Sequence, residues 1–146
     1  MKRILAIDYG RARIGVAVSD ELLMLAHPLE TIVVKVGKDP IKRIAEIVQK
    51  YEVDRVVVGV PRNMNGSFGQ SAIEAQRFCE KLRTVVACPV TDWDERLTTV
   101  AAQRALQESG RTEKNSRDVV DQVAAQMVLQ GYLDRLQAEE TRSPSD

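Results

Sequence analysis

The sequence predicts an α/β domain: a mixed five-stranded sheet, formed by a β-meander and then βαβ crossovers, with helices on both faces. Three patterns predict it. The first 36 residues hold three runs rich in branched apolar residues, separated by turn-forming residues and too close together for intervening helices. Two further apolar runs alternate with segments whose apolar residues repeat at helical spacing, the mark of parallel strands joined by crossover helices. A last, long helical pattern begins at Arg117.

The elements follow in order. Ile4 to Ile7 and Ile14 to Val18 flank a polar turn that contains Gly10 and is closed by Gly15, and so read as a hairpin. Met24 to Val36 alternates imperfectly and ends in TIVVKV, a third strand. Asp39 followed by Pro40 is a helix start, with Ile41, Ile44, Ala45, Ile47 and Val48 on one face up to Tyr51. Val53 to Val60 is almost continuously apolar, as a central strand covered on both faces should be. The loop PRNMNGSFGQS follows, and helical spacing returns from Ser71 through Leu82. Val85, Val86 and Val90 suggest a short strand, marked by Pro89 as an edge or a late start, and ending at Thr91. Leu97 to Leu106 is a helix candidate, and the stretch from Arg111 to Arg117 is a polar, basic connector. Ser116 can cap the final helix, Arg117 to about Leu136, and the polar stretch from Ala138 reads as a flexible tail. Residues 1–137 therefore read as a single domain and 138–146 as its tail.

Composition narrows the function. The 146 residues suit one core, with 44% hydrophobic and 29% charged residues, and 21 basic residues balance 21 acidic ones. That neutrality neither demands nor excludes nucleic acid, because one face can still be basic. Cys79 and Cys88 form no CxxC pair and read as buried thiols of a cytoplasmic protein. The short apolar start is not a signal peptide, and no stretch approaches a membrane span. The lone histidine, His27, precedes Pro28 and reads as structural, which removes most of the case for histidine-centred catalysis.

Asp8 stands where the first run stops. At a sheet edge its carboxylate can meet a cation or a phosphate; an Asp there is equally a common turn former, and the stretch alone leaves both open. Two other acids fall where the same architecture can bring them to that edge: Glu95, after the last strand, and Asp121, one turn inside the last helix. Separated carboxylates are what a Mg2+ or Mn2+ site needs, since these ions take hard oxygen ligands and keep several waters. Two such ions ~4 Å apart can activate a water and steady the leaving oxygen of a phosphodiester. Taken singly, Glu95 can pair with Arg96 or cap a helix, and Asp121 and Asp118 can be solvated helix carboxylates. Asp121, however, interrupts an apolar flank between Val120 and Val123, where an acid is costly unless paired or metal-bound.

Five blocks, IDYGRARIGVAVSD, HPLETI, VVVGVPRNMNG, DERLTT and VVDQVAAQMVLQGYL, resemble in order and spacing those of the YqgF/RuvX family of ribonuclease H-like proteins. Members of that family are described as Holliday junction resolvases and as nucleases maturing pre-16S ribosomal RNA. The likeness runs from about Arg3 to Leu133. It implies the ribonuclease H-like fold, with Asp8, Glu95 and Asp121 as the metal-binding catalytic set and Asp118 as the alternative third acid. Asn65 and Phe68 depart from the family's usual Asp and Glu in the loop after the fourth strand, which bears on substrate preference more than on chemistry.

The resemblance also gives the nearby basic residues a role. Arg11, Arg13, Arg62, Arg96, Lys114 and Arg117, together with Asn63, lie in or beside the loops of that edge, where they can contact phosphates without reading bases. Trp93 can stack on a base or pack beneath the site. The expectation is a metal-dependent endonuclease acting on RNA or branched DNA, as a monomer or a homodimer. Two rival readings differ in class: an ATP-binding clasp built on the Asp8-Gly10-Gly15 hairpin, as in actin-like ATPases and sugar kinases, and a nucleic-acid-binding protein without catalysis.

Overall fold

The computed structural model describes residues 3–35, 37–61, 65, 67–95 and 117–142. Five strands, β1 (Arg3–Asp8), β2 (Arg13–Ser19), β3 (Ala26–Val33), β4 (Val53–Val60) and β5 (Val90–Asp94), form one sheet in the order β3-β2-β1-β4-β5. The meander β1-β2-β3 is antiparallel, and β4 and β5 add in parallel beside β1. Helices α1 (Pro40–Lys50) and α2 (Gln70–Arg83) cover one face and α3 (Arg117–Arg142) the other. The mixed α/β sheet expected from the sequence is therefore present.

Strand alternation assigns the two cores. Leu5, Ile7, Val16, Val56 and Val58 point to α1 and α2, where they meet Ile44, Ile47, Phe78 and Leu82. Ile4, Ala6, Ala17, Val57 and Trp93 point the other way, onto Ala125, Leu129 and Leu133 of α3. Because side chains alternate with period two, Asp8 follows Ile4 and Ala6 onto the α3 face. The side of the sheet on which this carboxylate stands is thus set by the pattern of its own strand.

Local chemistry explains the ends of the elements. The Asp39 side chain accepts from the Ile41 amide at 3.0 Å and Pro40 occupies the first turn of α1, as expected from the sequence. β3 begins at Ala26 rather than Met24, because Asp20 Oδ1 accepts from the amides of Met24 (2.8 Å) and Leu25 (3.2 Å) and keeps both in the turn. β5 runs over Val90–Asp94 instead of Val85–Thr91. The amides of Val85 and Val86 both donate to Leu82 O, which commits them to the end of α2. Pro89 has no amide to offer but its carbonyl accepts from Val56 N at 2.9 Å, so the ladder opens there.

α3 continues to Arg142, beyond the expected end near Leu136 and into the stretch expected to be a flexible tail. QAEETR carries good helix formers, Glu139 pairs with Arg135 one turn back at 3.5 Å, and Gln137 Nε2 donates to Leu23 O at 3.3 Å. Earlier in the same helix, glutamines complete backbone hydrogen bonding near β3. Gln130 Oε1 accepts from Ala26 N (2.9 Å), Gln130 Nε2 donates to Met24 O (3.0 Å), and Gln126 Nε2 donates to Ala26 O (3.0 Å). Tyr132 and Arg55 are hydrogen-bonded through the phenol and the guanidinium, which ties α3 to β4.

Ser19 is the buried polar residue among the described part of the core, and its Oγ accepts from Ile4 N at 2.8 Å. Ser19→Ala leaves that amide without a partner, and an orphaned buried donor costs about 1–3 kcal/mol. Urea denaturation of the variant is expected to show a loss in that range, and an unchanged midpoint would mean another acceptor takes over.

Candidate active site at the sheet edge

Parallel pairing brings the C-terminal ends of β1, β4 and β5 to one edge. Asp8 stands in register with Gly59 of β4 on one side and with Gly15 of β2 on the other. Partners in register share a face, so Asp8 lies between two residues without side chains on the face that receives α3. A Cβ on Gly15 would lie 1.9 Å from the carbonyl oxygen of Asp121. The α3 backbone therefore fills the space that any other residue at position 15 would take. A Cβ on Gly59 would lie 2.8 Å from Glu95 Oε2. The two glycines admit the other two acids, one from each side.

Asp8 and Glu95 come together at this edge, and the Asp121 charge reaches Asp8. Asp8 and Glu95 share a side-chain hydrogen bond. Burial, then the Glu95 charge and that hydrogen bond, then the Asp121 charge push the Asp8 carboxyl up to about 7. Burial also raises Glu95, with the Asp94 charge adding to it and the bond from Asp8 opposing it. The pair consequently retains a proton that separated carboxyls would have lost, with Asp8 as the donor. Asp121 stands apart in one respect: its Oδ2 lies 2.7 Å from Arg13 Nε in a half-buried ion pair.

Among the described residues, no three His, Cys, Asp or Glu side chains stand as a ready group for a metal ion. The Asp8–Glu95 pair nevertheless suits one. Two adjoining, poorly solvated carboxyls are relieved by a cation, and Mg2+ needs only one or two carboxylates because it keeps much of its water. The third acid is the one turned toward an arginine.

The basic residues expected at this edge divide. Arg13 pairs with Asp121, and Arg11 makes a bidentate pair with Glu74 of α2, Nε and Nη2 each donating at 2.7 Å. Arg62, Asn63, Arg96, Lys114 and the Leu97–Leu106 helix candidate lie outside the described residues, as do the side chains of Arg117 and Asp118. Trp93 is buried beneath the edge, packed edge-on against Tyr132 with Arg135 over its ring, so it supports the site from within. Asn65 Oδ1 accepts from Ser67 N (3.0 Å) and Ser67 Oγ (2.6 Å), a local turn, while Phe68 is exposed. Cys79 is buried and Cys88 half-buried, and both thiols are free.

Sequence reasoning did not find Gly59, Glu74 or the basic pair Arg77 and Lys81, which with Tyr9, Glu74 and Phe78 line a recess of about 140 Å³ beside β1. The signal for Gly59 was present as the one glycine inside an otherwise unbroken apolar strand. A groove of about 580 Å³ lies elsewhere, lined by Ala45, Val53, Val86 and Pro89, where β4 and β5 begin. Among the described residues, no helix is long and apolar enough to cross a membrane.

Residues 2–135 match the model of the RuvX family, described as Holliday junction resolvase. A Bacillus cereus protein named "Putative pre-16S rRNA nuclease" is 44% identical over 135 residues, covering 91% of this chain and 98% of its own. A Clostridium acetobutylicum protein of the same name is 45% identical over 134 residues, covering 92% and 99%. Among solved structures, Thermus thermophilus RuvC in complex with a Holliday junction substrate superposes with a TM-score of 0.62 at 15% identity, covering 94% of this chain and 97% of that one. The fowlpox virus resolvase in complex with Holliday junction DNA gives 0.53 at 14%, covering 92% and 98%. These structural likenesses establish the ribonuclease H-like fold.

Proposed function

Since the chain belongs to the RuvX family, a family of nucleases, we propose that it is a divalent-metal-dependent endonuclease that processes the 5′ end of pre-16S ribosomal RNA in the cytoplasm. The observation that carries the reading is the Asp8–Glu95 pair: two half-buried, hydrogen-bonded carboxyls at the joined ends of parallel strands, with the Asp121 charge acting on Asp8. Asp8 and Glu95 would hold Mg2+ or Mn2+, with Asp121 completing the ligand set. When bound, such an ion supplies Lewis-acid stabilisation of charge on phosphoryl oxygens and lowers the pKa of a water.

The chain's own residues contribute placement. The sheet ends hold the two carboxyls rigidly, Trp93 and Tyr132 exclude water from below, and Arg13 offers its guanidinium at the edge. Arg11, paired with Glu74, with Arg77 and Lys81 on the adjoining helix extends positive charge along one side, where a phosphodiester backbone can lie.

The name shared by the relatives favours ribosomal RNA, and the family description favours a second reading, resolution of four-way DNA junctions. A resolvase cuts twice symmetrically and so works as a homodimer, whereas a processing nuclease can act as a monomer. The test offers purified protein a 5′-extended 16S precursor fragment and a synthetic four-way junction, each with Mg2+, Mn2+ or EDTA. Metal-dependent cutting of the precursor is expected. Paired nicks in the junction alone would transfer the assignment to the second reading, and binding without cutting of either would leave a nucleic-acid-binding protein.

A further inference from the structure

We infer that Arg13 is a positioning residue: it holds Asp121 off the Asp8–Glu95 pair and gives it up to a phosphodiester, so that nucleic acid and metal bind cooperatively. The inference rests on the metal-dependent reading of the site. Arg13 and Gly15 lie two apart on β2 and share the α3 face with Asp8. Asp121's backbone is seated against Gly15, so the helix has no room to advance and any adjustment falls to the side chain. That side chain is engaged at 2.7 Å by Arg13, with Asp121 17% and Arg13 31% exposed.

Charge explains why such a restraint is useful. Asp8 and Glu95 already crowd each other, and a third free carboxylate would add repulsion before any cation arrives. The guanidinium neutralises it and directs it away. Arg13 is also exposed enough for an incoming backbone to reach, and a guanidinium pairs with phosphate in the same forked geometry as with carboxylate. Once the phosphate takes Arg13, Asp121 is released toward the metal. Each ligand then favours the other, and by linkage the effect is reciprocal.

The test is calorimetric titration of Mn2+ into wild type, Arg13→Gln, Asp121→Asn and the double variant, without nucleic acid. Arg13→Gln is expected to bind Mn2+ about tenfold more tightly than wild type, within the usual range of site coupling. The gain should vanish in the Asp121→Asn background, which a general structural role of Arg13 would not produce. A saturating phosphorothioate RNA hairpin should tighten Mn2+ binding to wild type and add nothing to Arg13→Gln. Arg13→Lys, which keeps a point charge without the fork, should fall between the two and serves if the Gln variant does not fold. Equal or weaker Mn2+ binding by a folded Arg13→Gln overturns the restraint alone; a wild type that binds no Mn2+ overturns the metal site with it.

Discussion

Asp8→Asn is expected to reduce cleavage at least 10³-fold while making the metal-free protein more stable. The two effects have one origin. Asp8 is half-buried beside Glu95, so a charge there is held at a cost that a cation relieves. Asparagine keeps the shape and can still donate to Glu95, but it removes the anionic ligand on which the proposed chemistry depends. Glu95→Gln is expected to behave in the same direction.

The sign of the pH dependence follows. Asp8 has its folded-state pKa raised from 3.8 to about 7. The stability it contributes is complete below its unfolded value and is lost as pH rises through the folded one. In EDTA, Asp8→Asn and wild type should therefore be nearly equal near pH 4 and diverge by about 1–3 kcal/mol by pH 8. Thermal melts across that range, run beside cleavage assays with Mn2+, measure both effects. Full activity in the Asn variant would refute the catalytic assignment, and parallel melting curves would refute the account of the pair.

Gly15→Ala is the second large effect, and it acts through the helix. The added methyl would lie 1.9 Å from Asp121 O, a backbone atom, and no rotamer change removes that overlap. Either α3 lifts or β2 shifts, and a forced core displacement typically costs about 1–3 kcal/mol, occasionally more. Because Asp121 rides on the displaced segment, activity should fall with stability. Gly59→Ala provides the contrast. Its methyl meets Glu95 Oε2 and Val128 Cγ2, each at 2.8 Å, and both belong to side chains that can yield. The stability loss should be smaller, about 1 kcal/mol, while cleavage drops sharply because Glu95 is the group displaced. Urea unfolding and cleavage rates on the two variants separate these outcomes; equal stability losses would contradict the distinction between backbone and side-chain contact.

The departures from expectation have two origins, one local and one remote in sequence. The β5 boundaries moved because Val85 and Val86 are hydrogen-bonded to the end of α2, leaving the ladder to start at Pro89 O. Arg11 and Arg13 read as free phosphate contacts from their place in a polar turn, yet each meets a carboxylate: Glu74, 63 positions away, and Asp121, 108 positions away. No local pattern encodes pairs at such separations. The five sequence blocks, by contrast, are short and continuous, so their likeness to the RuvX family could be read directly from the chain.

By itself the sequence determined the order of strands and helices and the class of sheet they make, because apolar runs and helical repeat are properties of neighbouring residues. It also placed Glu95 and Asp121 near the same edge through connectivity. Only the tertiary structure decided that Asp8 sits between two glycines, that Glu95 and Asp121 enter through the space they leave, and that Arg13 already holds the third acid. The physical reason is the docking of α3: its fit against Gly15 depends on backbone approach across the sheet, which no spacing along the chain records.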